Sequence, residues 1–166
     1  MVARHFILAN LKSLERKYRT AASGKDALFF SKLAILELCG WIEESMDDVI
    51  RQCAMRYLKD AGNRKYVETM VIKRTYSFDY ERFRLMMISV VGLINVERVE
   101  KKLDPSIKSK FEAVLASLKT ARDAEAHTHI KGVTRVINAP SLTIAQFADV
   151  YQGLKLVETT LRSTKI

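Results

Sequence analysis

Apolar side chains recur along this chain every three or four positions, and no long stretch repeats them every two. Between residues 26 and 59 they fall at Ile35, Cys39, Ile42, Met46, Val49 and Cys53. Alternating steps of four and three trace one stripe down an α-helix, because a turn takes about 3.6 residues. That helix is long, with Gly40 as a place to bend. An earlier segment, 3–22, repeats the pattern through Ile7, Leu11, Leu14 and Tyr18 and stops at Ser23-Gly24. Asp79 is a candidate cap for a helix over 80–103, whose apolar face is Phe83, Met87, Val90 and Ile94. Asp104-Pro105-Ser106 breaks that run, since the residue before a proline avoids helical backbone. Ile107, Phe111, Val114, Leu118 and Ala121 mark the next helix. Thr143 followed by Gln146 matches a capping box and opens the last one, toward Arg162. "AGNRK" (61–65) reads as a turn and "HIKGVTRVINAPS" (129–141) as a loop. The expectation is one all-α domain over residues 1–166, a single-domain helical bundle of about five helices with a long second helix.

Composition agrees with a packed domain. Hydrophobic residues make up 48% and charged residues 28% of 166 residues, a globular rather than disordered profile. No run approaches the roughly 20 apolar residues that span a bilayer, so no membrane partner is expected. The opening "MVARHFILANLKSLERK" puts a basic residue before a short apolar stretch, but Asn10 and Lys12 interrupt it. No small-residue cleavage site comes after it, which argues against a secretory signal and for a cytoplasmic protein. Cys39 and Cys53 fall in one helix, roughly 21 Å apart at about 1.5 Å per residue. A disulfide needs Cα atoms within about 7 Å, so both read as small core residues.

Charge narrows the partner class. The net charge is +9, and residues 1–25 hold six Lys or Arg against a single acid. Residues 56–84 hold eight against four, whereas 26–55 reverse the sign with two basic and six acidic side chains. Such a field favours polyanions, or simply keeps a surface solvated. Phosphate-binding glycine loops, H-E-x-x-H and cysteine pairs at zinc spacing are all missing. No cofactor and no metal site is expected. Trp41 and the tyrosines at 57, 66, 76 and 80 could stack on bases, though helical spacing suits core positions equally. His5, on the basic N-terminal helix, reads as a surface residue.

What remains is "RDAEAHTH" (122–129), which gathers an arginine, acids and two of the three histidines at a helix end. Arginine offers a permanently charged fork for phosphate oxygens. Histidine gives and takes protons near neutral pH. Together they suffice to cleave RNA, one group stabilising charge on the phosphorane while the other assists the 2′-hydroxyl or the leaving oxygen. Five residues along a helix rotate by about 140° and rise about 7.5 Å, so Arg122 and His127 of one straight helix face different ways.

A helical bundle with "RDAEAH" closing a late helix resembles the HEPN superfamily, whose signature is R-x4–6-H with a polar residue after the arginine; Asp123 fits. The stretch "LAILELCGWIEESMDDVI" is similar to the long helix of RiboL-PSP-type HEPN proteins, with Glu43 matching the acid there. The resemblance covers most of residues 26–163. It implies a homodimer whose two motifs meet in one cleft, forming a metal-independent endoribonuclease of the toxin, phage-defence or RNA-processing kind. Its partners would be RNA and an antitoxin or inhibitor protein, and its site residues Arg122, Asp123, His127, Glu43 and His129. A two-fold axis would also bring Arg122 of one chain to His127 of the other. Two departures stand out: His129 satisfies R-x6-H as well as His127 satisfies R-x4-H, and Thr128 alone separates the histidines. The H-x-Y-x-H form is therefore absent, which weakens the expectation of a nucleotidyltransferase antitoxin. The competing expectation is a non-catalytic RNA-binding or scaffolding dimer.

Overall fold

The structure, a computed structural model, describes residues 2–130 and 136–164. It is all-α. Among the described residues seven helices run in the order α1 (His5–Arg19), α2 (Gly24–Tyr57), α3 (Ala61–Tyr66), α4 (Tyr80–Val91), α5 (Leu93–Glu100), α6 (Pro105–Ala126) and α7 (Pro140–Ser163), with a π-helical segment (Val67–Ile72) continuing α3. Among the described residues there is no strand. Part of the loop expected over 129–141 lies outside the described residues, at 131–135.

Local chemistry explains most boundaries. Ser23 caps α2 by accepting from the Asp26 amide at 3.1 Å, and Asp26 places a negative charge on the helix's positive end. Asp79 accepts from the Arg82 amide at 2.9 Å and starts α4. Asp104 accepts from the Ser106 and Ile107 amides at 2.9 and 3.0 Å, with Pro105 in the first turn, where its missing N–H costs nothing.

Three expectations need correction. The turn expected at 61–65 is helix α3, capped by Asp60 through the Asn63 amide at 2.8 Å. The helix expected over 80–103 breaks at Gly92, whose φ of 80° lies in the left-handed region that glycine tolerates. The apolar stripe therefore restarts. Ile94 is 69% exposed, and α5 buries Val96 and Val99 instead. The last helix opens at Pro140, not at a Thr143 capping box, because proline's fixed φ starts the helix earlier and leaves Thr143 buried inside it. These breaks make seven helices and a π segment out of about five.

α2 is the axis of the bundle, packing against α1, α6 and α7 and, on another side, against α4 and the π segment. All six stripe residues expected for it are buried, and the helix runs unbroken through Gly40. Cys39 and Cys53 are free, buried thiols. α6 and α7 approach so closely that a Cβ on Gly153 would lie 2.3 Å from the Phe111 ring. The π segment carries a five-residue hydrogen bond, Lys73 N–H to Glu68 O at 3.1 Å. Through a turn at 73–74 it hands the chain to the 75–79 stretch, which lies against Lys119 and Arg122 of α6 and shares a cleft with α2. No helix among the described residues is long and apolar enough to cross a membrane.

Candidate active site

α6 buries Phe111, Leu115, Leu118 and Glu125. The steps are four, three and then seven, and the position that would complete the stripe is Arg122. A guanidinium thus occupies a place where the pattern asks for a core side chain. It is held there, half-buried, by three partners. Arg122 Nη1 donates to Glu43 Oε1 on α2. Its Nε reaches Asp123 Oδ1 at 3.4 Å, and its charged carbon lies 5.4 Å from the centroid of the Phe78 ring.

One turn earlier on α6, Lys119 pairs with Asp79 at 2.6 Å. Asp79 also accepts from the Ser77 hydroxyl at 2.7 Å, so one carboxylate ties the 77–79 stretch to α6 while capping α4. Burial alone would raise its pKa, but hydrogen bonds from Lys119, the Arg82 amide and Ser77 outweigh that and bring it down to about 2.

Between α2, the 75–78 stretch and α4 opens a cleft of about 410 Å³ with Arg122 and Glu43 in its wall. Asp47, one turn beyond Glu43 on the same face of α2, lines it too. Burial pushes Asp47 up to about 6; Glu68, Glu43 and Asp48 add to this, and Arg51 opposes it. Its charge therefore changes near physiological pH. Cys39, one turn before Glu43, is different. Burial lifts its thiol to about 12 against the pull of Arg122, which leaves it protonated and unsuited to nucleophilic work.

The sequence-predicted residues divide into two groups. Arg122, Asp123 and Glu43 come together. His127 and His129 do not join them: both are exposed, and neither makes a hydrogen bond, ion pair or ring contact among the described residues. His127 is the C-terminal cap of α6, with φ −99° and ψ 6°. Nearby, the Thr128 hydroxyl donates to Ala124 O at 2.6 Å, and Lys32 of α2 donates to Thr128 O. These bonds fix the backbone around His127 while leaving its ring free. His5 packs edge-on to Phe6 and lies outside the cleft lining. Sequence reasoning does not find Phe78, Asp47 or Lys119. Asp47 carries a signal, its four-residue spacing from Glu43, whereas the contacts of Phe78 and Lys119 are fixed only by the tertiary fold.

Among the described residues, no three His, Cys, Asp or Glu side chains gather closely enough to hold a metal ion. The chain matches no protein-family model, and comparison with curated proteins and with solved structures yields no significant relative.

Proposed function

We propose that this chain is an endoribonuclease acting as a homodimer, in which Arg122 of one protomer and His127 of the other share a cleft. The observation that carries this reading is the guanidinium set into the apolar stripe of α6, braced by Glu43 and Phe78 at the wall of an open cleft. A charge half-removed from water acts more strongly on a phosphorane than a fully solvated one. The 2′-hydroxyl oxygen attacks phosphorus as the bond to the 5′-oxygen breaks. A general base takes the hydroxyl proton, and a protonated histidine supplies one to the departing oxygen. Arginine and histidine provide charge and protons, so the reading requires no metal. The cytoplasm, which suits two unpaired buried thiols, is its proposed location, and an inhibitor protein is its proposed control.

A second reading has its own observation. Arg122 is already engaged by Glu43, Asp123 and Phe78, as a strut in a non-catalytic RNA-binding or scaffolding dimer would be.

Subunit mixing separates the two. The parent protein should cut RNA in EDTA and spare DNA. Arg122→Ala and His127→Ala should each lose about 100- to 10,000-fold in rate, and His129→Ala should lose less. Co-expressed with different tags, the two inactive chains should form a mixed dimer with one intact composite site and recover a large part of the activity. A mixed dimer that stays inactive refutes the shared cleft. Variants that cut at the parent rate leave the strut reading in its place.

A further inference from the structure

Most arginines among the described residues are engaged. Among the described residues, only Arg16, Arg74 and Arg82 have a side chain without a hydrogen bond, ion pair or ring contact. Two of those three stand in one place. Arg74 and Arg82 line a groove of about 260 Å³ together with Thr75, Tyr76, Ser77 and Leu85. Tyr76 is 82% exposed, the most exposed aromatic side chain described, and Leu85 shows 44% of its surface beside it. The groove shares Thr75, Tyr76 and Ser77 with the cleft that holds Arg122, so the two adjoin along this stretch.

The chemistry of this groove is selective. No acid lines it, whereas the adjoining cleft carries Glu43 and Asp47. Phosphates are thus favoured at Arg74 and Arg82, and in the adjoining cleft Arg122 is the basic side chain of the lining. A ring that projects into solvent gains most by stacking on another flat face, and an unpaired base offers one where a duplex does not. We propose that this groove is a subsite for single-stranded RNA, with one base stacked on Tyr76 and the neighbouring phosphates on Arg74 and Arg82. The strand then continues into the Arg122 cleft; that last step rests on the nuclease reading, and binding at Tyr76 does not.

The test uses a fluorescently labelled, single-stranded 2′-O-methyl RNA, which lacks the attacking hydroxyl and cannot be cut, read by anisotropy on the full-length protein. Stacking is worth about 1–3 kcal/mol per base, so Tyr76→Ala should weaken binding by about 5- to 150-fold and Tyr76→Phe should restore it. The Arg74→Ala, Arg82→Ala double variant should weaken binding and lower the salt slope by about 1.4, from two phosphates at about 0.7 each. All these side chains are exposed, and circular dichroism should show unchanged melting. Parent-like binding by Tyr76→Ala overturns the proposal. So does equal competition by duplex RNA, or by a poly-glutamate peptide, which would assign the groove to an acidic protein instead. Arg122→Ala distinguishes the two readings. If it binds the probe but cannot cut RNA, both stand; if Tyr76→Ala binds and cuts normally, only the subsite falls.

Discussion

The two ends of α6 obey opposite rules. At the N-terminal end every group is committed: Asp104 closes the first amides, Pro105 sets the first turn, and Phe111 lies where only a glycine fits on α7. At the C-terminal end the last turn has no basic side chain, the cap is an exposed histidine, and the stripe carries an arginine. One helix thus joins a seam built for packing to an end built around charge. The difference teaches that stability and candidate chemistry are separated along one element, about three turns apart from Phe111 to Arg122. Substitutions can reach one without the other.

The largest effect on stability should come from closing the seam. Gly153→Ala places a methyl group 2.3 Å from the Phe111 ring, and the helices must part. Overpacking of this kind costs about 1–3 kcal/mol, to be read from chemical denaturation, with the proposed RNA binding at Tyr76 unchanged while the protein remains folded. Equal stability of parent and variant would mean that the seam gives way freely and that the contrast between the two ends is false.

Next come two carboxylates with opposite pH behaviour. Asp47 is raised to about 6. The folded state therefore binds its proton more tightly than the unfolded chain, and stability falls as pH rises from about 4 through 6. Asp47→Asn should remove that loss, raising stability above pH 6 by about 1–2 kcal/mol after allowance for solvent screening. Asp79 is lowered to about 2, so its contribution is present above about pH 4 and disappears as pH falls toward 2. Asp79→Asn, which keeps the cap, should cost a similar amount at neutral pH and little at pH 2. Urea midpoints measured from pH 2 to 8 check both; matching slopes for the two variants would contradict the assignment.

The smallest pair compares the ends of α6 directly. Asp104→Ala removes a cap that serves two amides and should cost about 1 kcal/mol. His127→Ala, at the other end, removes an exposed side chain and should stay within about 0.5 kcal/mol in thermal melts. A large cost for His127→Ala would mean that it supports the fold, and its proposed role in proton transfer would lose its basis.

Legibility in the sequence tracks the range of the interactions. The stripe of α2, the cap at Asp79 and the breaks at Ser23-Gly24 and Asp104-Pro105 are local matters, and each is readable. The break at Gly92 is not, since a glycine within a helical pattern is tolerated more often than it ends one. Thr143 has the letters of a capping box, but Pro140 has already started the helix. On α6 the predicted face is off by one residue, because Leu115 is buried where Val114 is half-buried. Glu43 and Arg122 are both legible as candidates. Their meeting, across 79 positions of chain, depends on how α2 and α6 cross, which no local pattern encodes. The separation of Arg122 from His127 is readable from helix geometry alone.

The π-helical segment has a consequence for chain length. Between Val67 and Ile72 the backbone carries one residue more than an α-helix would use, and the adjacent pair Val71 and Ile72 both reach the core. Losing one residue there would return the segment to α-helical winding and rotate the downstream chain by about 100°. Arg74, Tyr76 and Phe78 would then face new directions together. The order of residues would be unchanged at every one of them, yet the groove and the brace on Arg122 would be lost in a single deletion. Six residues outside the candidate site thus act as the spacer that sets where its side chains point.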